Sequence, residues 1–297
     1  MRLPEKDLIL FFKLYPALFL YANQQLKVIE GATTPNKFKG LSLEEQVEVR
    51  DALFDKPSLI DSFAAENPFN FTREELEIVS GWRHHIRGTF YLVRYLKRYA
   101  VFLDENATKA YGVLALNDSF EEILGPELPV RLEAMLLPFK ERIVYDGFMR
   151  YSNIYFGKGF RQDLNEDYQE AKHRHGVITF LPAPEEKERS DEEMLRFYMR
   201  SEGSRVRYEE EIEGLVSGDS SLLKVYHHEL GKMDARRYGR RLRGLGLSRG
   251  WFAVLEGIIV AGGGSREEVE RVLTDIVPSE KRELAYIFQL KKKKLQG

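Results

Sequence analysis

The strongest chemical signal in the sequence is a group of arginines late in the chain. They are Arg236, Arg237, Arg240, Arg241, Arg243 and Arg249, and Asp234 is the acidic residue that opposes them. Guanidinium groups bind phosphate oxygens through paired hydrogen bonds. The group therefore predicts contact with nucleic acid or a ribonucleoprotein. The alternative is pairing inside the protein, with the upstream residues Glu209, Glu210, Glu211 and Glu213, or pairing with another subunit.

A second phosphate-binding pattern is FGKGFR at 156–161, which precedes a predicted helix. Backbone amides at a helix start bind anions, and Lys158 and Arg161 would add positive charge. The pattern matches neither the P-loop nor the dinucleotide-binding motif. The ordinary alternative is a tight strand-to-helix turn in which Gly157 and Gly159 adopt positive φ.

A third pattern is the predicted hairpin FYLVRYLKRY, in which aromatic residues alternate with Arg94, Lys97 and Arg98. Exposed mixtures of this kind suit single-stranded nucleic acid, because bases stack on rings while cations follow phosphates. In a sheet, however, half of these aromatic side chains face the core. The hairpin thus predicts either a binding surface or ordinary core packing.

The histidines occur in pairs, His84-His85, His173-x-His175 and His227-His228. Imidazoles can bind a divalent metal, and Asp146, Asp163 or Glu229 could add a carboxylate. No HEXXH motif is present, and neighbouring residues on a helix point about 100° apart. We therefore expect no metal or cofactor. A metal-dependent phosphoester hydrolase that uses His84, His85 and Asp146 is kept as an alternative.

Composition limits the remaining classes. The 297-residue chain has 43% hydrophobic residues, a formal charge of −2 and no cysteine. It is thus a globular protein of two or three units, without disulfides or cysteine-bound zinc. The apolar stretch Leu8–Ala22 is interrupted by Lys13 and Pro16, so we expect a buried or partner-facing helix rather than a signal peptide or membrane span. A cytoplasmic location is compatible with these features.

Helical signals dominate the first 85 residues. Leu8–Val28 and Ser58–Glu66 are predicted helices, and two capping boxes, Ser42 with Glu45 and Thr72 with Glu75, begin two more. From 86 to 181, short aromatic and β-branched runs predict an antiparallel, barrel-like sheet with a short helix, SFEEIL, capped by Ser119 and a longer helix at Phe160–His175. The predicted strands are Thr89–Arg94, Ala100–Asp104, Tyr111–Leu116, Pro129–Leu137, Arg142–Asp146 and the VITFLP segment.

Residues 182–191 are proline-bearing and acidic, which predicts a linker to a helical C-terminal domain at 192–297. Its predicted helices are Glu192–Ser201, Val206–Val216, Ser220–Gly231, Trp251–Val260, one after Ser265, and one from Ser279 that ends in Lys291–Lys294. The arrangement around GGGS at 262–265 loosely resembles a helix-turn-helix. The whole prediction is an α+β protein in which N-terminal helices pack on a small antiparallel β-barrel-like domain, followed by a helical domain.

Three pieces of the sequence resemble a widespread prokaryotic family. They are ENPFNFTREELEIVSGWRHHIRGTFYLVRYLKRYAVFL, LLPFKERIVYDGFM and FGKGFRQDLNEDYQEAK, within Leu8–Leu181. That family carries no assigned reaction, so the resemblance implies no catalytic residue. The strand-rich part also looks like the SH3-like small barrel that accompanies SEC-C-type metal-binding proteins. The cysteine-rich SEC-C module is missing here, so no zinc site is implied.

Three functions remain open. The leading hypothesis is a non-enzymatic binding or adaptor protein that contacts nucleic acid or a ribonucleoprotein through 236–249. The second is the metal-dependent hydrolase. The third is a protein–protein adaptor, or a homodimer formed through Leu8–Leu20 or Trp251–Val260.

Overall fold

The structure, a computed structural model, describes residues 1–152, 154–183 and 189–291. The chain divides into two compact units, residues 1–187 and 188–297, which we call unit 1 and unit 2. Both contain helices and strands, so the predicted α+β class is confirmed. Part of the predicted linker, 184–188, lies outside the described residues. In the described part of the chain, no helix has the length and apolar character needed to cross a membrane.

Unit 1 begins with five helices, which are α1 Glu5–Leu26, α2 Pro35–Lys39, α3 Leu43–Phe54, α4 Ser58–Glu66 and α5 Arg73–Gly81. The capping boxes predicted at Ser42 and Thr72 are confirmed, with each side-chain oxygen accepting a hydrogen bond from the amide three residues later. These caps satisfy amides that have no partner inside the helix.

The rest of unit 1 is a curled sheet with two helices. Its elements are β1 Ile86–Tyr95, β2 Ala100–Asp104, β3 Ala110–Leu114, α6 Phe120–Leu124, β4 Val130–Phe139, β5 Arg142–Ser152, α7 Lys158–His175 and β6 Val177–Ile178. The strand order is β2-β1-β4-β5-β3-β6, and β2 also pairs with β3. The prediction of purely antiparallel pairing is wrong at β3, which pairs in parallel with both β5 and β6. Because β5 and β3 share two residue pairs, the sheet is curled rather than a fully closed barrel.

A wide bulge interrupts the ladder between β4 and β5. Ala134 pairs with Met149 and Leu136 with Tyr145, so three residues of β5 lie opposite Met135. The middle one, Gly147, has a φ of 95°, a backbone conformation that is strained for any residue with a side chain. Bulges of this kind redirect neighbouring side chains and are frequent beside functional sites. Here the bulge turns Asp146 into the protein, where its exposed fraction is 2%.

One core joins the helices of unit 1 to the inner face of its sheet. Phe11, Leu14 and Leu18 of α1 are fully buried, and the Phe11 ring lies 5.8 Å from that of Phe139 in β4. The proposed dimer helix Leu8–Leu20 is therefore mainly core. The large hydrophobic side chains that it exposes are Ile9 and Phe12.

A second, smaller core lies on the outer face of the sheet, where α7 covers β2 and β3. It consists of Val101, Leu103, Ala110, Leu164, Tyr168 and Ala171. The apolar residues of α7 recur at helical spacing, as the sequence predicts. The outer face of β2 and β3 is consequently occupied by the protein itself.

Unit 2 is not purely helical, so the prediction for this region is wrong in part. Its elements are α8 Asp191–Tyr198, α9 Glu202–Arg207, α10 Glu209–Gly218, α11 Leu222–Gly244, β7 Gly250–Leu255, β8 Ile258–Gly263, α12 Arg266–Ile276, α13 Ser279–Arg282 and β9 Tyr286–Leu290. The strands form an antiparallel sheet in the order β8-β7-β9. The segment from Ser279 is thus a short helix followed by a strand, and Lys292–Lys294 lie outside the described residues.

The predicted apolar helix Trp251–Val260 is a β-hairpin. Glu256 and Gly257 both have positive φ, 48° and 81°, as a tight two-residue hairpin turn requires. With strands on its N-terminal side, the segment before Ser265 cannot be the first helix of a helix-turn-helix. That part of the prediction is wrong as well.

Candidate functional site

The predicted arginine group lies largely on one helix of unit 2. Five of its members belong to α11, and Arg249 lies in the loop after it. At about 100° per residue, Arg236, Arg240 and Arg243 fall within about 60° of one another. Arg237 and Arg241 lie beside them on the same half of the helix, and all six side chains are exposed.

The opposite half of α11 packs against the sheet of unit 2. Gly231 and Gly239 are buried on this side. A Cβ atom on Gly231 would lie 2.9 Å from Cγ of Tyr286 in β9, and closer still to its Cβ. The Tyr238 hydroxyl donates a hydrogen bond of 2.9 Å to the carbonyl of Gly257 in the hairpin turn. These contacts fix the rotation of α11, and with it the outward direction of the arginines.

Acidic side chains in the described part of the protein neutralise few of these arginines. Arg237 forms an ion pair of 2.6 Å with Asp234 and lies over the Tyr238 ring. Within residues 189–291, no ion pair joins the other arginines of the group to an acidic side chain, and none links them to the glutamates of α10. Among the described residues, pairing inside unit 2 therefore accounts for Arg237, through Asp234 and not through the glutamates of α10. We call Arg236, Arg240, Arg241 and Arg243 the α11 arginine face.

In unit 1, Lys158 and Arg161 both lie in the first turn of α7, which begins two residues before the predicted start at Phe160. Lys158 is exposed, while Arg161 donates through Nε to the carbonyl of Phe156 at 2.9 Å and lies over the Tyr155 ring at 4.8 Å. The prediction that the glycines need positive φ is wrong. Gly157 caps the helix with a φ of −63°, and Gly159 is helical. A Cβ at either glycine would meet no atom within 4 Å, so the space around the turn is open.

The β1–β2 hairpin uses most of its aromatic residues internally. Phe90 and Phe102 are core residues whose rings lie 6.0 Å apart, and Tyr91 and Tyr99 pack beside α7. Arg94 also turns towards α7, where it donates to Asn165 and lies over the Tyr168 ring. Arg98 is exposed in the turn. The hairpin itself therefore offers cations but few free rings.

Asp146 is the centre of a buried polar network that joins three elements of unit 1. Its Oδ2 atom accepts hydrogen bonds from Arg50 Nη1 in α3 at 3.1 Å and from the Tyr15 hydroxyl in α1 at 3.3 Å. Its Oδ1 atom accepts from the amide of Phe148 at 3.1 Å. The carboxylate side chain is completely shielded from solvent. A substrate cannot reach it in this structure, so its role is to hold elements together.

A large cleft lies beside this network. It has a volume of about 1060 Å³ and is bounded by α3, α6 and the strands β1, β4 and β5. Asp51 bridges two arginines in its wall, with Arg50 Nη2 at 2.7 Å and Arg87 Nη2 at 2.9 Å. Sequence reasoning missed Arg50 and Tyr15, which are 96 and 131 residues from Asp146 in the chain. The single local signal was the Tyr145-Asp146-Gly147 motif.

The paired histidines are not brought together with Asp146 as a metal-binding group. His84 is exposed, and the His85 ring packs 4.6 Å from that of Phe54. Burial lowers the pKa of His85, and its Nδ1 atom is buried without a hydrogen-bond partner. The part of the chain that the structure describes holds no group of three His, Cys, Asp or Glu side chains placed to bind a metal ion. The hydrolase alternative gains no support from this arrangement.

Burial raises the pKa of Asp146 to about 6, against the opposing effect of Arg50. A carboxyl group whose pKa is higher in the folded than in the unfolded protein stabilises the fold as pH falls. We expect unit 1 to gain about 1 kcal/mol in free energy of unfolding between about pH 7 and about pH 5, relative to Asp146→Asn. Urea unfolding of both proteins across this range measures it. If the free energy of unfolding changes with pH in the same way for both proteins, the pKa of Asp146 is not raised.

Comparison of the chain with protein-family models, curated proteins and solved structures finds no match. The family resemblance drawn from the sequence stays a prediction.

Proposed function

We propose that this protein is a non-enzymatic binding protein that contacts nucleic acid, alone or within a ribonucleoprotein, through the α11 arginine face. The observation that carries the proposal is the set of outward-facing arginines on α11 without acidic partners in the described part of unit 2. The set is a local concentration of positive charge in a chain whose formal charge is −2. Its electrostatic field is local and directed to one side of the helix.

The spacing of these arginines suits a phosphate backbone. A helix rises about 1.5 Å per residue, so Arg236 and Arg243 are separated by about 10 Å along the axis. Duplex DNA carries about one charge per 1.7 Å of its axis, so several phosphates fall within that length. Contacts of this kind position a protein on nucleic acid without reading bases. We therefore expect binding that depends little on sequence.

Two finer features belong to the same proposal. We take the curled sheet of unit 1 to be a partly open small barrel, because its pairings run β1–β2–β3–β5–β4 and return to β1. We also place the protein in the cytoplasm, because a chain without cysteine does not depend on disulfide bonds and so is compatible with a reducing compartment. Neither feature is needed for the binding test below.

The direct test is fluorescence anisotropy with labelled DNA and RNA between about 50 mM and about 200 mM salt. For the full-length chain we expect affinity that falls steeply as salt rises. The triple variant Arg236→Ala, Arg240→Ala and Arg243→Ala should bind more weakly. Its slope of log affinity against log salt should be smaller by about 3, because each lost phosphate contact releases about one counterion fewer.

The matched control is a triple variant of exposed cations elsewhere in unit 2, Arg266→Ala, Arg271→Ala and Lys281→Ala. It removes the same net charge, but Arg266 and Lys281 already pair with Glu270 and Glu256. We expect the control to keep most of the affinity and the original slope. Equal losses in both triples, or no binding at the lowest salt, would refute the α11 arginine face as the binding surface.

A further inference from the structure

The turn between β5 and α7 has an unusual composition. Residues 147–162 read GFMRYSNIYFGKGFRQ and contain five aromatic residues, three cations and no acidic residue. This segment belongs to unit 1 and does not depend on the α11 proposal. Aromatic side chains normally serve the core. Some of these rings pack against the sheet and others are exposed to solvent.

Part of the group is anchored to the sheet. The rings of Phe156 and Phe160 stack with centroids 4.7 Å apart and an interplanar angle of 16°. Both meet the Tyr91 ring of β1 edge-on, at 6.1 Å and 5.7 Å. Phe160 nevertheless keeps 39% of its surface exposed. The stack therefore presents one ring to solvent on a rigid base.

Tyr155 is exposed to 84%, more than any other large hydrophobic side chain described in unit 1. It is held in place from one side, since Arg161 lies over its ring at 4.8 Å while the Arg161 Nε atom is fixed to the carbonyl of Phe156. A cation stacked on an aromatic ring restricts the ring without burying it. Tyr155 is thus a partly ordered ring that contributes almost nothing to the core.

Cations lie in the first turn of α7, close in the chain to these rings. Lys158 is exposed at the first position of α7, and Arg161 follows in the same turn. Arg94 of β1 reaches α7 at Asn165, one helical turn after Arg161. Lys158, Arg161 and Asn165 are three and four residues apart, so the two cations of α7 and the side chain that Arg94 contacts lie on one face of the helix. We call Tyr155, Phe160, Lys158, Arg161 and Arg94 the aromatic–cation surface.

We propose that the aromatic–cation surface binds single-stranded nucleic acid by stacking bases on Tyr155 and Phe160. Rings that are exposed, anchored and flanked by cations are the combination that single strands use, because unpaired bases offer flat faces and phosphates follow at regular intervals. In a duplex the bases are stacked on one another, so their faces are not free to stack on Tyr155 or Phe160. An anionic lipid surface also attracts exposed aromatic and basic side chains, with Ile154 exposed beside them here, and is the competing outcome of the test below.

The test uses an oligothymidylate of about 12 nucleotides and an abasic oligomer of the same length and charge. Both are measured against the full chain in the background Arg236→Ala, Arg240→Ala and Arg243→Ala, so that α11 does not mask the result. We expect Tyr155→Ala to weaken oligothymidylate binding roughly tenfold and Tyr155→Trp to preserve it. Binding of the abasic oligomer should be unaffected by either change.

The matched control is Phe12→Ala, which removes an exposed ring from α1, where 52% of the Phe12 surface is free. It should leave both affinities unchanged. If Tyr155→Ala weakens binding of the abasic oligomer as much as binding of oligothymidylate, no base is stacked on Tyr155. That result would overturn the proposal. So would a complete lack of binding in the α11 background, which would leave the α11 proposal intact. Vesicles of anionic phospholipid, tested in parallel, identify a lipid surface if Tyr155→Ala weakens vesicle binding alone.

Discussion

Replacing Asp146 with alanine should lower the free energy of unfolding of unit 1 by about 3 kcal/mol at neutral pH. The change leaves the Arg50 guanidinium, whose side chain is 12% exposed, without its buried partner. Removing one member of a buried ion pair costs about 3–5 kcal/mol, because the remaining charge has lost its solvent. The lower end applies here, since Asp51 still accepts a hydrogen bond from Arg50 Nε at 2.8 Å. The Tyr15 hydroxyl and the Phe148 amide lose their acceptor as well.

The chain offers a clean reporter for this measurement. It has two tryptophans, Trp82 in unit 1 and Trp251 in unit 2. Urea unfolding followed by tryptophan emission in a Trp251→Phe background therefore reports unit 1. The control is Asp61→Ala, which breaks the half-exposed pair with Arg83 and should cost at most about 1 kcal/mol. Similar losses for the two variants would show that the Asp146 network contributes no more than a surface pair.

A double-mutant cycle separates the pair from its surroundings. Arg50→Met with Asp146→Asn should be less destabilised than the sum of the two single variants, because neither buried charge is then left alone. An additive result would mean that the network acts through packing only.

Local signals in the sequence predict the helices of unit 1 well, because they are carried by neighbouring residues. Ser42 with Glu45 and Thr72 with Glu75 define helix starts through hydrogen bonds that span three residues. The strand β2 was predicted with its observed bounds, Ala100–Asp104. Such features depend little on the rest of the chain.

The hairpin of unit 2 shows why short apolar runs fail. Residues 251–261 suit a buried helix and a pair of strands about equally by periodicity. The turn at Glu256-Gly257 was the available signal, since glycine between two β-branched or aromatic runs marks a hairpin. Read that way, the sequence would have predicted the β7–β8 hairpin, but not that β9, which follows α12 and α13 in the chain, pairs with β7.

The candidate sites also differ in whether neighbouring residues or distant parts of the chain form them. The arginine group could be predicted, because its members are close in the sequence, but the predicted helix Ser220–Gly231 ends before them, whereas α11 continues to Gly244. The network of Tyr15, Arg50 and Asp146 could not, because it depends on how α1, α3 and the β5 bulge meet. The hairpin cations are an intermediate case, since Arg94 lies where its sequence position suggests but faces α7 rather than solvent alone.

The direction of the α11 arginine face depends on Gly231, and Gly231→Ala should destabilise unit 2 by about 2 kcal/mol. A methyl group at this position would overlap Cβ of Tyr286 and lie 2.9 Å from its Cγ. Neither atom is at the flexible end of a side chain, so α11 and β9 would have to separate. Overpacking that shifts the backbone costs about 1–3 kcal/mol, so a cost near the upper end exceeds by about 2 kcal/mol the gain of about 1 kcal/mol that alanine brings to a helix.

Gly214→Ala is the matched control, because Gly214 lies inside α10 of the same unit and a Cβ there meets no atom within 4 Å. It should stabilise unit 2 by about 0.5–1 kcal/mol through helix propensity alone. Unfolding is followed through Trp251 in a Trp82→Phe background. If Gly231→Ala stabilises unit 2 as Gly214→Ala does, then α11 does not approach β9 as closely as the structure places it. The contacts that turn the arginines outward would then have to be sought elsewhere on α11, first at Tyr238 and Gly257.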